Sequence, residues 1–311
     1  MPAPPPVELP TVHLARDVPP ALAARRLADG SWARVRRGAY IDAAHTEGLD
    51  RFAASRRTAL ARVAAVGLTF GDVVLSHSSA ALLWGLPLLT APDQVHVIGG
   101  WSGNARTSPD VVRHLLRLDA DDVVVRAGLH TTSLVRTVVD CATTLGTAGG
   151  LVVADAALAV GADPAACRQR LERLGPVRGS RTARAVLSVA DDGAESPGES
   201  LARLAVLRLG LPAPQTQVRV ATDDGEYWGD LGWPSWKVVA EYDGRAKYTA
   251  RGTAADAVLA EKRRQEAMEE AGWRVLRLTS ADLRAPERLR RRLARVLPPG
   301  AFGRCDRDLH P

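Results

Sequence analysis

Apolar positions along the chain switch between a spacing near 3.6 and strict alternation, and the switches mark the elements. Ala21 to Ala28 reads as a short helix that stops at Asp29-Gly30. Trp32 to Arg36 and Ala39 to Asp42 alternate and are joined by a tight turn at Arg37-Gly38, which predicts a hairpin. A helical stretch runs from Gly48 to Ala65. Leu75-Ser76-His77-Ser78-Ser79 followed by Ala80-Ala81-Leu82-Leu83-Trp84 reads as an N-cap and two helical turns, with a stop at Gly85-Leu86-Pro87. Strand-like Val95 to Ile98 and Val111 to Leu116 come next. A hydroxyl cap at Thr131-Thr132-Ser133 then opens a helix reaching Cys141, and Ala148 to Val160 and Pro164 to Leu174 are further helices.

The rhythm changes after Ala190 to Ala194, where Asp191-Asp192-Gly193 interrupts a helix. A helix is predicted from Pro197 to about Leu209, ended by Gly210 and Pro212. Strands follow at Gln217 to Val220, Tyr227 to Leu231 and Trp236 to Tyr242, with turns at Asp224-Gly225 and Pro234-Ser235. A helix from about Ala254 to Ala271, a strand Trp273 to Leu278 and an Arg-rich helix from Ser280 complete the region. The order α-β-β-β-α-β-α is that of a mixed α/β sheet. The chain is therefore expected to be α/β. It has a winged-helix-like segment and connecting helix at 12–70, an α+β region at 71–190, a mixed α/β domain at 195–297 and a tail at 298–311.

With 311 residues and 46% hydrophobic positions the chain has material for about two ordinary cores. Its longest apolar runs are a few residues, far short of the roughly 20 that span a bilayer. The Pro-rich start, Met1 to Pro10, lacks the basic-then-apolar pattern of a secretory leader. Three scattered cysteines, Cys141, Cys167 and Cys305, make neither a disulfide framework nor a zinc cluster. A cytoplasmic location without a membrane partner is the expectation. The 41 basic against 35 acidic residues give a net charge of +6 and favour a polyanionic partner such as DNA. Of the 41, 38 are arginine and three are lysine: Lys237, Lys247 and Lys262. Arg34, Arg36 and Arg37 sit on the predicted hairpin, where guanidinium groups can lie along a phosphate backbone and release counterions. A solvated hairpin on a small domain accounts for the same pattern.

Phosphate-loop, dinucleotide-binding and serine-nucleophile motifs are absent, and Gly100-Trp101-Ser102-Gly103-Asn104 fails the nucleophile pattern at its last position. His77, His96, His114 and His130 are too far apart in sequence to place two imidazoles on one helical face. They are read as caps, surface residues or satisfied core groups. The chemistry concentrates instead at Asp230 and at Glu241-Tyr242-Asp243-Gly244-Arg245-Ala246-Lys247. On a strand, Glu241 and Asp243 project from one face about 6–7 Å apart, and the turn at Pro234-Ser235 can bring Asp230 alongside. Three carboxylates at one sheet edge repel unless a hard cation such as Mg²⁺ or Mn²⁺ relieves them. Such an ion activates water and stabilises charge on a phosphodiester, and Lys247 can direct its ammonium at the phosphate. The competing reading makes Glu241 and Asp243 polar strand-end residues, with Asp243-Gly244 a turn.

The blocks Glu195-Ser196-Pro197-Gly198-Glu199-Ser200, Leu211-Pro212, Gln217, Asp230, Glu241 to Tyr248, Glu261-Lys262-Arg263-Arg264-Gln265-Glu266 and Gly272-Trp273-Arg274-Val275-Leu276-Arg277 occur in a specific order. With them the segment from about Glu195 to Leu297 resembles a domain family related to the very-short-patch repair (Vsr) endonucleases, within the PD-(D/E)XK nuclease superfamily. The resemblance implies a restriction-endonuclease-like fold and a metal-dependent DNA endonuclease, with Asp230 and Glu241 as paired metal ligands. The superfamily's usual lysine falls at Asp243, which leaves Lys247 as the candidate substitute, and the histidines of Vsr enzymes have no counterpart here. First-helix glutamates of such nucleases often reach the metal, so Glu199 is a candidate. Ser196-Pro197-Gly198-Glu199 also reads as a capping box. Arg264 is open to two roles, facing the site or DNA, or pairing with Glu261.

Trp32 to Tyr40, Leu75 to Ala81 with Trp84-Gly85-Leu86-Pro87, and Arg136-Thr137-Val138-Val139-Asp140 carry a second resemblance. The stretch from about Val12 to Leu174 is similar to AbiEi-type antitoxins of type IV toxin–antitoxin systems. This implies operator binding by a winged helix, and a cognate toxin or a repair or defence partner. The combined expectation is a DNA-binding protein with a metal-dependent endonuclease-like domain. The alternative is a non-catalytic, antitoxin-like repressor whose nuclease fold has become a binding module.

Overall fold

The alternation at Trp32 to Asp42 forms the expected hairpin, and it belongs to a three-stranded antiparallel sheet. The computed structural model describes residues 7–99, 108–244 and 254–310. The chain is mixed α/β and divides into two units: Met1–Leu145 with Val160–Ser180, and Gly146–Ala159 with Arg181–Pro311. In the first unit β1 (His13–Leu14) precedes α1 (Pro20–Ala28), β2 (Trp32–Arg36) and β3 (Ala39–Asp42), and the strand order is β1-β3-β2. Asp50 caps α2 (Arg51–Thr69) by accepting from the amides of Phe52 and Ala53. Ala61 and Ala65 of α2 pack with Leu14, Val35, Ala39 and Ile41 of the sheet.

The same unit holds a five-stranded sheet in the order β6-β5-β4-β8-β7. Its strands and helices are β4 (Val74–Leu75), α3 (His77–Leu83), β5 (Val95–Ile98), β6 (Val111–His114), β7 (Val123–Arg126), β8 (Leu129–Thr132) and α4 (Leu134–Thr144). After α4 come α5 (Gly146–Ala159), which falls in the second unit, and α6 (Pro164–Leu174). Pairing is parallel at β5/β6 and β4/β8 and antiparallel at β4/β5 and β7/β8. The β7–β8 hairpin turns at Ala127-Gly128, both with positive φ.

The second unit comprises α5, α7 (Ser180–Val189), α8 (Pro197–Arg208), β9 (Gln215–Thr222), β10 (Gly225–Trp233), β11 (Val238–Tyr242), α9 (Ala254–Glu270), β12 (Arg274–Leu278), α10 (Ser280–Leu283) and α11 (Pro286–Leu293). The sheet order is β12-β11-β10-β9, with only β11/β12 parallel. The expected boundary near 190–194 does not separate the units. Asp155 of the apolar helix α5 pairs with Arg203 of α8 at 2.7 Å and accepts from the Asp191 amide, tying α5 to this core. The strand expected from Trp236 begins at Val238, because Pro234–Trp236 forms a 3₁₀ turn and Lys237 is left-handed.

Strand alternation sorts this sheet into two faces. Leu231 and Trp233 of β10, Val238 and Ala240 of β11, and Leu278 of β12 pack with Ala202 and Val206 of α8 and Leu289 and Leu293 of α11. On the opposite face Val218, Val220 and Val239 pack with Met268 of α9. The residues between the first set therefore point towards α9, among them Asp230, Glu241 and Arg277.

Candidate functional site

The antiparallel register pairs Leu231 with Ala240, and one residue further out it sets Asp230 across from Glu241. The parallel register pairs Glu241 with Arg277. Three charged residues thus form a row across β10, β11 and β12 on the face covered by α9. Asp230 is also part of the ladder, since its Oδ2 accepts from the Tyr242 amide at 2.7 Å. The Tyr242 ring lies over Gly198 in the first turn of α8, where a Cβ would come within 2.0 Å of it.

From α9, Arg264 comes to 2.6 Å from Glu241 Oε1, while Arg277 stands 4.0 Å from Oε2. Glu261 accepts from both arginines, and Arg264 also donates to the Trp228 carbonyl. Arg264 thus pairs with Glu261 and with Glu241 at once. Glu241 is 8% exposed, and its Oε1 receives no well-directed hydrogen bond despite the close guanidinium. Burial pushes the Glu241 carboxyl above its usual range, Arg264 opposes the rise, and Glu261 and Asp230 add to it.

Asp243 follows the last residue of β11 and is exposed, its amide donating to the Leu278 carbonyl at 2.8 Å. Lys247 lies outside the described residues. Glu199 is 2% exposed and engaged at the N-terminal cap of α8, with the Glu195 amide in place of the Ser196 amide of a full capping box. Its carboxylate accepts from the Ser196 hydroxyl at 2.7 Å and the Glu195 amide at 2.8 Å, while Ser196 Oγ accepts from the Glu199 amide. These bonds give the capping role a direct basis.

On the β2–β3 hairpin, Arg34 and Arg37 are exposed, with Arg34 above the Tyr40 ring at 5.9 Å. Arg36 departs from the expectation of a phosphate-facing wing residue. Arg34 pairs with Tyr40 and Arg36 with Ala39, so the register shifts at Val35. The Arg36 side chain is 6% exposed and donates to Asp110 at 2.8 Å.

The first unit also assembles residues that no sequence spacing connected. His77 opens α3, His96 lies on β5 and His114 ends β6, and their ligand nitrogens all lie within 4.8 Å of one another. The β5/β6 register matches His96 with Val112 and Ile98 with His114, putting both imidazoles on one face. Ser76 continues the β4/β5 ladder by donating its amide to the His96 carbonyl, which delivers His77 to the same place. The rings of His77 and His114 stack at 3.7 Å, and His96 Nδ1 is 2.9 Å from His114 Nε2. His77 has φ +52°, left-handed for a residue with a side chain.

Burial lowers all three imidazole pKa values, His77 to about 2 and His96 to about 4, with neighbouring imidazoles adding to the fall at those two and Arg136 at His114, so the cluster is neutral at pH 7. Beneath it, Asp140 Oδ2 lies 3.9 Å from His77 Nδ1 and has no hydrogen bond, while Oδ1 accepts from Arg136 Nε at 2.8 Å. Arg136, fully buried, also pairs with Asp122 at 2.9 Å, and Asp122 accepts from Arg170. Burial raises the Asp140 carboxyl to about 6 against the opposing effect of Arg136.

No family model matches the chain. Over 122 residues it is 36% identical to uncharacterized proteins of Mycobacterium tuberculosis, one from strain CDC 1551 and one from H37Rv. The match covers 39% of this chain and 44% of each relative, so the chain spans less than half the length of these proteins. Among the described residues no helix is long and apolar enough to cross a membrane.

Proposed function

We propose that the chain acts on DNA, with the second unit a divalent-metal endonuclease module of the PD-(D/E)XK type and the first an AbiEi-antitoxin-like DNA-binding part. The observation that carries this reading is the row of Asp230 beside the buried Glu241, where three carboxylates face two guanidinium groups. The donor set fits the implied ion. Its atoms are carboxylate oxygens, as Mg²⁺ or Mn²⁺ favours, and the buried Glu241 Oε1 lacks a directed hydrogen bond. Asp230 and Glu241 would hold the ion, with the exposed Asp243 next along the chain as a third carboxylate. When bound, such an ion supplies water activation and charge stabilisation at a phosphodiester.

The chain's own groups do the positioning. The Tyr242 amide fixes Asp230, and Arg264 and Arg277 orient Glu241 and offer guanidinium donors to a phosphate. Arg34 and Arg37 are free to track a backbone, and Lys247 keeps its candidate role near the phosphate. Under the antitoxin resemblance a cognate toxin is the further partner.

One contact favours the second reading, a DNA-binding repressor without hydrolysis: Arg264 already stands 2.6 Å from Glu241 Oε1, where a cation would compete with it. Incubating the full chain with supercoiled plasmid and Mg²⁺ or Mn²⁺ separates the two. Nicking that disappears in Asp230→Asn and Glu241→Gln supports the nuclease. Salt-sensitive DNA binding without nicking, lost in an Arg34→Ala, Arg37→Ala double variant, supports the repressor. Nicking that persists in both acid variants overturns the site.

A further inference from the structure

We infer that His77, His96 and His114 form a binding site for one transition-metal ion of the Zn²⁺ class, with Asp140 as the positioning carboxylate for His77. The inference is independent of the nuclease reading and concerns the other unit.

Geometry comes first. Three imidazole nitrogens around one Zn²⁺ at about 2.0–2.1 Å are separated from each other by about 3.4 Å. Here the three ligand atoms already lie within 4.8 Å and one pair is at 2.9 Å, and the stacked rings of His77 and His114 would turn out of parallel to aim their lone pairs at one ion. The three come from a helix start and two adjacent strands, and β4 pairs with β5 as β5 pairs with β6. Their backbones are therefore fixed by one sheet rather than by a loose loop. His77 is 2% exposed, whereas His96 and His114 are partly exposed, which leaves a route for an ion from solvent.

Chemistry selects the ion. Neutral imidazoles suit Zn²⁺, Ni²⁺, Co²⁺ or Cu²⁺ and are poor ligands for Mg²⁺ or Ca²⁺. Three protein ligands leave a fourth position open in a tetrahedral shell. A histidine ligand usually donates its second nitrogen to a carboxylate, which fixes the tautomer. Asp140 is placed for this. It is 1% exposed, its Oδ2 lacks a hydrogen bond, and that oxygen is 3.9 Å from His77 Nδ1. Ser76 Oγ, 2.9 Å from the same nitrogen, is the competing partner. Arg136 holds the other carboxylate oxygen, so Asp140 cannot turn away. The charges around the cluster balance, Arg136 and Arg170 against Asp122 and Asp140, so no net positive charge repels a dication.

The test uses the full chain, stripped with chelator and titrated with ZnCl₂ against a chromophoric zinc indicator. One Zn²⁺ per chain is expected with a Kd below about 1 µM, undisturbed by millimolar Mg²⁺. His114→Gln and His96→Gln should each weaken it by about 100-fold or more, and Asp140→Asn by about 10–100-fold. The Asp230→Asn, Glu241→Gln double variant should bind Zn²⁺ as the parent does. Binding that survives both histidine changes, or that vanishes only in the acid double variant, overturns the site. Absence of binding in the parent does so too. Because a histidine variant can misfold, imidazole ¹⁵N resonances of the parent give a second readout: they should shift on adding one equivalent of Zn²⁺, and unmoved resonances mean the stack holds no ion.

Discussion

Two charged sites, one in each unit, are buried in opposite ways. Around Arg136 the ionic groups are sealed: Arg136 has no exposure, Asp122 and Asp140 have 1% each, and every pairing is internal. Around Glu241 the charges lie at a helix–sheet margin, where Arg264 is 24% and Arg277 36% exposed at the side chain. A sealed network fixes a core and tolerates no lost member, whereas a marginal one can exchange an arginine for an incoming cation or phosphate. The first unit therefore supplies rigid support to its imidazoles, and the second keeps its acids available.

Removing one arginine from each region gives the sharpest contrast. Arg136→Met strands the buried Asp140 carboxylate, while Asp122 keeps Arg170, and should cost about 3–5 kcal/mol. Arg264→Met should cost less than about 1 kcal/mol, because Arg277 remains and solvent screens the site. Urea unfolding followed by hydrogen exchange in each unit reads both, and equal losses would erase the distinction. An effect between those two is expected from Gly198→Ala, whose Cβ would sit 2.0 Å from the Tyr242 ring. Overpacking of this kind costs about 1–3 kcal/mol, and protection of the Tyr242 amide, which donates to Asp230, should fall with it.

Acid should move the two units in different directions. In the first, the imidazoles resist protonation: His77 titrates at about 2 and His96 at about 4, against 6.5 in the unfolded chain. Below pH 6.5 the unfolded chain takes up protons that the folded chain refuses. Stability then falls by up to about 1.4 kcal/mol per pH unit for each imidazole. Asp140, raised to about 6, offsets part of this between pH 6 and 4. In the second unit Glu241 and Asp155 are both raised by burial, so the folded state accepts protons first and gains stability as pH falls towards 4.5. Exchange protection measured from pH 7 to 4.5 should diverge between units, and His96→Gln should flatten the first slope.

How much of this was readable in the residues alone depends on range. The β2–β3 hairpin, the α8 cap and the placement of Asp230 beside Glu241 follow from local signals: alternation, a capping box and a turn between two strands. Arg36 was misplaced because one unpaired residue, Val35, breaks the alternation and sends the next side chain inward. The β7–β8 hairpin carries no local signal, because Ala127 adopts a left-handed turn that its sequence does not advertise. Helix α5, apolar all round, does not declare from its sequence which core it enters. The histidine cluster is a matter of parallel register across two strands and a helix start, and sequence spacing carries no trace of such a meeting.

The left-handed backbone at His77 bears on how this chain can drift. Any side chain held in that conformation costs roughly 1–2 kcal/mol relative to glycine, so folding by itself pulls position 77 towards glycine. A lineage under pressure for stability alone would shed the imidazole. Its presence marks a position where some other demand outweighs the comfort of the fold.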